Sequence, residues 1–134
     1  LATGRGVAED QALALGWYRR ATDLGHAKSM NLLGRYLEEG RFCRADPDAA
    51  FEWYRRSAEG GDFRGQFSYA AVLAQDGKVE EALVWLHRAL EAGSLNFLRV
   101  SGQALLQASH PDLRALASRF QQRAEQSQNQ AKGA

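Results

Sequence analysis

Apolar residues recur along the chain at spacings of three and four, interrupted by short glycine- and proline-marked breaks, and the pattern predicts seven helices and no strand. From Ala27 to about Glu39, Met30, Leu33 and Leu37, with Tyr36 alongside, set one apolar face around the small residue Gly34. Asp46-Pro47 gives a capping carboxylate followed by proline at the first helical position. The helix it opens carries Ala50, Trp53, Tyr54, Ser57 and Ala58 to a stop at Gly60-Gly61. Asp62 caps the next helix, about Phe63 to Gln75, and the tight turn Asp76-Gly77-Lys78 leads into another over Val79 to Ala92. Ser94 opens a helix over about Leu95 to Gln107. Ser109-His110-Pro111-Asp112 reads as a serine-capped start for a helix over about Pro111 to Gln126. Upstream, Glu9-Asp10 begin a helix that Gly16 weakens and Gly25 stops after Leu24. Gln126 to Ala134 lacks an apolar face and reads as a frayed helix end or tail, so a helical domain is expected over 1–126 and a polar tail over 127–134.

The pattern repeats. Trp17-Tyr18-Arg19-Arg20 returns as Trp53-Tyr54-Arg55-Arg56 after 36 residues and as Trp85-Leu86-His87-Arg88 after a further 32, the period of a helical solenoid. Gly25 to Gly34, Gly61 to Ala70 and Gly93 to Gly102 are each nine residues, so the register of the following helix is kept in every copy. Loop shortening at Gly77, against the loop from Gly40 to Asp46, accounts for most of the difference in period. Ala14, Ala50 and Ala82 each stand three residues before a tryptophan, where a small side chain lets a partner helix approach to about 8–10 Å. On this alignment Trp17, Trp53 and Trp85 are core residues, largely buried.

The positions Gly4-x-Gly6-Val7, Asp10, Ala14, Trp17-Tyr18-Arg19, Ala21, Gly25-His26-Ala27, and Leu33-Gly34 with Tyr36 and Gly40 resemble the Sel-one-like repeat (SLR) family, a relative of the tetratricopeptide repeats. The resemblance covers about residues 1 to 108. It implies an all-α fold: an α/α right-handed superhelical solenoid of antiparallel helix pairs, about three repeats with a C-terminal capping helix, and a role in holding other proteins together. The third copy departs from the family, with Leu86 in place of the tyrosine and Phe97 where alanine is favoured. In such repeats the first helix of each pair lines the concave face. Carried over by position, that places Lys28, Asn31, Arg35 and Glu38 there, then Arg64, Phe67 and Ala71, then Asn96, Arg99 and Gln103. The expected partner-binding set is Lys28, Asn31, Arg35, Arg64, Phe67, Arg99 and Gln103: cations around an apolar anchor, Phe67, suited to an acidic protein or peptide. The alternative is that Phe67 packs between neighbouring helices and the cations form an ordinary solvated face.

Composition narrows the function. With 134 residues, 45% of them hydrophobic and 25% charged, the chain suits one soluble core, and a net charge of +1 without a basic cluster disfavours nucleic acid. No apolar run is long enough for membrane insertion. The lone Cys43 excludes an internal disulfide, and His26, His87 and His110 fall in no metal-ligand spacing, so no cofactor or metal is expected. No nucleophile elbow, phosphate loop or acid pair marks an enzyme. Leu1-Ala2-Thr3-Gly4 reads as the end of a helix, as if the chain began partway through a repeat. A signal could therefore lie upstream, and cytoplasm and periplasm both stay open. Fourteen arginines against three lysines suit a bacterial source. Two readings follow: a non-enzymatic interaction module (adaptor, scaffold or regulator) that binds a protein or peptide through its concave groove, or a structural spacer or self-associating fragment of a longer repeat protein, whose N-terminal end stacks on another copy or on upstream repeats.

Overall fold

The computed structural model describes residues 25–41 and 43–133, the last three by backbone alone, together with 16, 19, 20 and 22. Six helices follow in order: α1 Ala27–Glu39, α2 Pro47–Glu59, α3 Phe63–Gln75, α4 Val79–Ala92, α5 Leu95–Leu106 and α6 Pro111–Gly133. No strand occurs among the described residues. Each start and stop agrees with the expected one closely, apart from the far end of α6. The helix expected upstream of Gly25, and Trp17 on it, lie outside the described residues save for a few positions. Consecutive helices pack as the pairs α1/α2, α3/α4 and α5/α6, and these pairs stack into a helical solenoid.

Local chemistry fixes the boundaries. Asp46 accepts the Ala49 N–H at 3.1 Å, Asp62 accepts the Gly65 N–H at 2.8 Å, and Ser94 accepts the Phe97 N–H at 3.3 Å, so each satisfies a donor that the first helical turn leaves orphaned. At α6 the cap differs from expectation. His110, not Ser109, adjoins the helix, and its Nδ1 accepts the Asp112 N–H at 3.1 Å. The helix also continues past Gln126 to Gly133. Arg99 on α5 donates to Gln128 Oε1 at 2.6 Å, which ties the extension down, and its Gln, Ala and Lys residues are good helix formers.

Within each pair the helices cross at small residues. A Cβ added to Gly34 would lie 2.6 Å from Cε1 of Tyr54 and 3.3 Å from the Ala50 carbonyl oxygen, so α1 can sit this close to α2 only without a side chain there. Ala70 in α3 and Ala82 in α4 hold the equivalent places, both almost fully buried. In the third pair a Cβ on Gly102 would meet Phe120 and Gln121 at 3.3 Å, beside the fully buried Ala117. The joint between the first two pairs is equally close. A Cβ on Gly65 of α3 would overlap Ser57 Oγ of α2, the same hydroxyl that donates to the Ala27 carbonyl at 2.6 Å within the first pair.

Trp53 and Trp85 are not the centre of the core. Trp53 and Trp85 are half-buried and pack against it, whereas Tyr54 and Leu86, one residue later, are 2% and 3% exposed. The reason is helical phase. The buried stripe of α2 runs Ala50, Tyr54, Ser57, Ala58, and that of α4 runs Ala82, Leu86, Ala89, Leu90, which leaves each indole at the edge of its stripe. The outer ring faces are covered by guanidinium groups from the following turn: Arg56 lies 4.9 Å from the Trp53 ring and Arg88 lies 4.6 Å from the Trp85 ring.

Two outcomes test this packing. Gly34→Ala gains about 1 kcal/mol of helix propensity but forces a buried tyrosine ring to move, which costs about 1–3 kcal/mol. The steric term wins, and the urea midpoint falls; an unchanged or higher midpoint would refute the close crossing. The second concerns alkali. Burial, with the Glu38 carboxylate accepting the Tyr54 hydroxyl at 3.1 Å, raises the ionisation of Tyr54 well above the usual tyrosine value. Burial and the nearby Glu81 raise Tyr69 in the same direction. Because the unfolded chain gives up these protons first, the stability they contribute is full below about pH 10 and is lost as pH rises through the raised values. Urea titrations on either side of about pH 10 should show that loss, smaller in Tyr54→Phe than in the parent chain.

Candidate functional site

One substitution changes the joint between the second and third pairs. Gly65, the fourth residue after Gly61, lets α3 press on α2; Phe97 holds the same place after Gly93. Its ring packs at a tilt against Phe63 at 4.7 Å and meets Phe67 edge-on at 5.9 Å, with Phe120 at 6.4 Å. The turns differ as well. Gly61 adopts φ 92°, a left-handed conformation that favours glycine, whereas Gly93 is extended with φ −68° and ψ 144°. With a phenylalanine wedged at the start of α5, α4 and α5 scarcely touch, in contrast to α2 and α3.

The two pairs meet at this aromatic cluster and part toward their hairpin turns. Between them lies a cleft of about 1090 Å³. Its α3 wall carries Phe67, Ala71 and Ala74, its α5 wall carries Ala104 and Leu105, and Leu83 of α4 and Leu113 of α6 close the back. The turns at Gly77-Lys78 and Ser109-His110 form its mouth. The volume is at or above the upper end of the roughly 300–1,000 Å³ typical of small-molecule pockets, and the lining is mainly aliphatic.

Charge at the mouth is mainly negative. Glu80 and Glu81 stand in the first turn of α4 and Asp112 in the first turn of α6, against one cation, Lys78. Each carboxylate complements the positive end of its own helix. The neighbouring His110 imidazole has its Nδ1 3.9 Å from Asp112 Oδ2.

Of the seven residues expected to bind a partner, Phe67 alone lines this cleft. Lys28 is exposed at the start of α1, Arg35 lies 4.0 Å from Glu39 on its own helix, and Arg64 rests 4.6 Å from the Phe63 ring. Arg99 and Gln103 border a separate cavity of about 400 Å³ between α5 and α6, where Arg99 is held by Gln128. Asn31 is corrected from surface to interior. It is 4% exposed because it lies in the buried stripe of α1, three residues before Gly34, and its Oδ1 has no hydrogen-bond partner among the described residues. Asn31, Phe67 and Arg99 are the same repeat position. It passes from buried to half-buried to exposed along the stack.

Sequence reasoning missed the acidic mouth and, apart from Ala71, the alanine walls. The signal for the cleft was Phe97 at a position that is small in the preceding copies, and the acids were visible as first-turn carboxylates. Among the described residues no three His, Cys, Asp or Glu side chains gather to hold a metal, and no helix is long and apolar enough to cross a membrane. Cys43 is half-buried, and its thiol donates to the Arg41 carbonyl at 3.3 Å.

Residues 1–26, 27–62 and 73–94 each match the Sel1 repeat. The crystal structure of a Sel1 repeat protein from Oxalobacter formigenes is similar over 98% of this chain at 26% identity, with a TM-score of 0.63. The chain spans 54% of that structure.

If the aromatic cluster holds the third pair to the rest, Phe97→Ala should destabilise by about 3–5 kcal/mol, and the loss should be local. Hydrogen exchange should speed up in α5 and α6 while α1 and α2 keep their protection; uniform acceleration would show that the pairs are coupled more tightly than their contacts indicate.

Proposed function

The chain belongs to the Sel1 repeat family, and from that premise we propose that it is a non-enzymatic protein-interaction module that docks a protein segment in the cleft between its second and third helix pairs. Sel1 repeats generally mediate protein–protein interaction. The observation that carries the reading is the opened joint. The faces of α3 and α5 that would close on each other in a uniform stack are held apart by Phe97, leaving an aliphatic groove that solvent fills and a partner can cover. Phe67 is the natural anchor at its inner end, half-buried against Phe97 yet open to the cleft, as interface aromatics tend to be.

Because Phe67 also belongs to the aromatic cluster, its removal would mix folding with binding. Ala71 separates the two. It is exposed on the α3 wall, so Ala71→Arg fills the groove without disturbing the core. A photo-crosslinking residue at Ala71 should capture a partner from the source cells that one at the exposed Arg119 does not. The captured protein, purified and titrated, should bind the Ala71→Arg chain at least tenfold more weakly while the melting temperature stays put. Equal affinity for the two chains would overturn the cleft as the docking site.

A further inference from the structure

We infer that the segment the cleft accepts is a short amphipathic α-helix whose apolar face is flanked by lysine or arginine, an inference that rests on the cleft being the docking site. Charge comes first. Three carboxylates, Glu80, Glu81 and Asp112, border the mouth against one ammonium, Lys78, and among the described residues neither Glu80 nor Glu81 has an ion-pair partner. Their fields reach about 8 Å into physiological solution, so an acidic segment is repelled and a basic one is drawn in.

Backbone chemistry then selects the helix. The long walls of the cleft are themselves helices, whose N–H and C=O groups are bonded internally and offer no ladder to an incoming strand. An extended chain laid here would bury unpaired backbone groups; a helix brings its own bonds satisfied. The wall residues Ala71, Ala74 and Ala104 are small enough to admit a helix at the usual 8–10 Å interaxial distance, while Phe67 stands at the end as a stop. Size agrees. A helix about 10 Å across rising 1.5 Å per residue occupies roughly 120 Å³ per residue, so 1090 Å³ accommodates about nine residues, or two and a half turns.

The test uses three fluorescent synthetic peptides of twelve residues and reads anisotropy against the full chain. One has a leucine face flanked by lysines, one has glutamates in place of the lysines, and one is the lysine peptide interrupted by two central prolines. The lysine peptide should bind, weaken with added salt, and bind at least tenfold more weakly to the chain carrying Glu80→Lys and Glu81→Lys. The glutamate and proline peptides should each bind at least tenfold more weakly to the unaltered chain. Should charge reversal disturb the start of α4, Glu80→Gln with Glu81→Gln removes the field more gently, and circular dichroism reports the fold in either case. Equal binding of the glutamate peptide, or indifference to both charge variants, overturns the basic partner while leaving the cleft intact, provided Ala71→Arg still abolishes binding. Equal binding of the proline peptide overturns the helix. If Ala71→Arg leaves the affinity of every peptide unchanged, the docking site itself is wrong, and if no peptide binds at millimolar concentration the inference falls.

Discussion

Everything in this fold depends on helices that approach without side chains between them. At Gly34 the α1 backbone sits where a single methyl would strike the Tyr54 ring, and at Gly65 the α3 backbone rests on Ser57. Such contacts leave no slack, because protein interiors are packed near crystal density and a misplaced methyl must displace something rigid. Once those crossings are fixed, the remaining apolar side chains have little freedom in where they point. Tyr54 and Leu86 fall inward, the indoles of Trp53 and Trp85 fall to the margin, and the arginines of the next turn close over them.

The same constraint explains how one residue can open a site. A stacked repeat contacts only its neighbours, so relaxing one joint leaves the others as they were. Phe97 stands where Gly65 permits contact, and its bulk cannot be accommodated at the spacing of the first joint. The chain answers by gathering Phe63, Phe67 and Phe120 around the ring, which recovers apolar burial at one end of the joint and surrenders it at the other. A cleft made this way is built into the packing and does not rely on a loop or a lid.

Much of this was legible in the sequence, and the limits are instructive. The helices and their breaks, with the caps at Asp46, Asp62 and Ser94, follow from local rules about orphaned N–H groups and apolar spacing, and they stand as expected. Recurrence of tryptophan identified the repeat correctly but suggested the wrong core residue. Equivalence between copies says that positions match, not which of two adjacent residues faces the partner helix, and a single step along a helix turns a side chain by about 100°. The expected cations stand apart for a related reason. Lys28 and Arg64 share one repeat position, Arg99 stands at a second and Arg35 at a third, so the four cations never formed a row. His110 took the cap from Ser109 because its ring nitrogen reaches the Asp112 N–H two residues on, a local geometry that a serine–proline pattern does not carry.

The acidic mouth shows how a folding requirement becomes a recognition surface. Glu80, Glu81 and Asp112 are placed by the need of α4 and α6 for negative charge at their first turns, a local matter in each helix taken alone. The solenoid brings the starts of those two helices to the same opening, since each follows a hairpin turn at the same end of its pair. Charges selected separately for helix stability therefore act together on anything that enters between the pairs. In a uniformly closed stack they would face only water. With the joint wedged open at Phe97 they border an aliphatic groove, and the combination of a negative rim with an apolar floor is what separates this surface from the paired or stacked cations elsewhere, such as Arg35 beside Glu39 and Arg64 over Phe63.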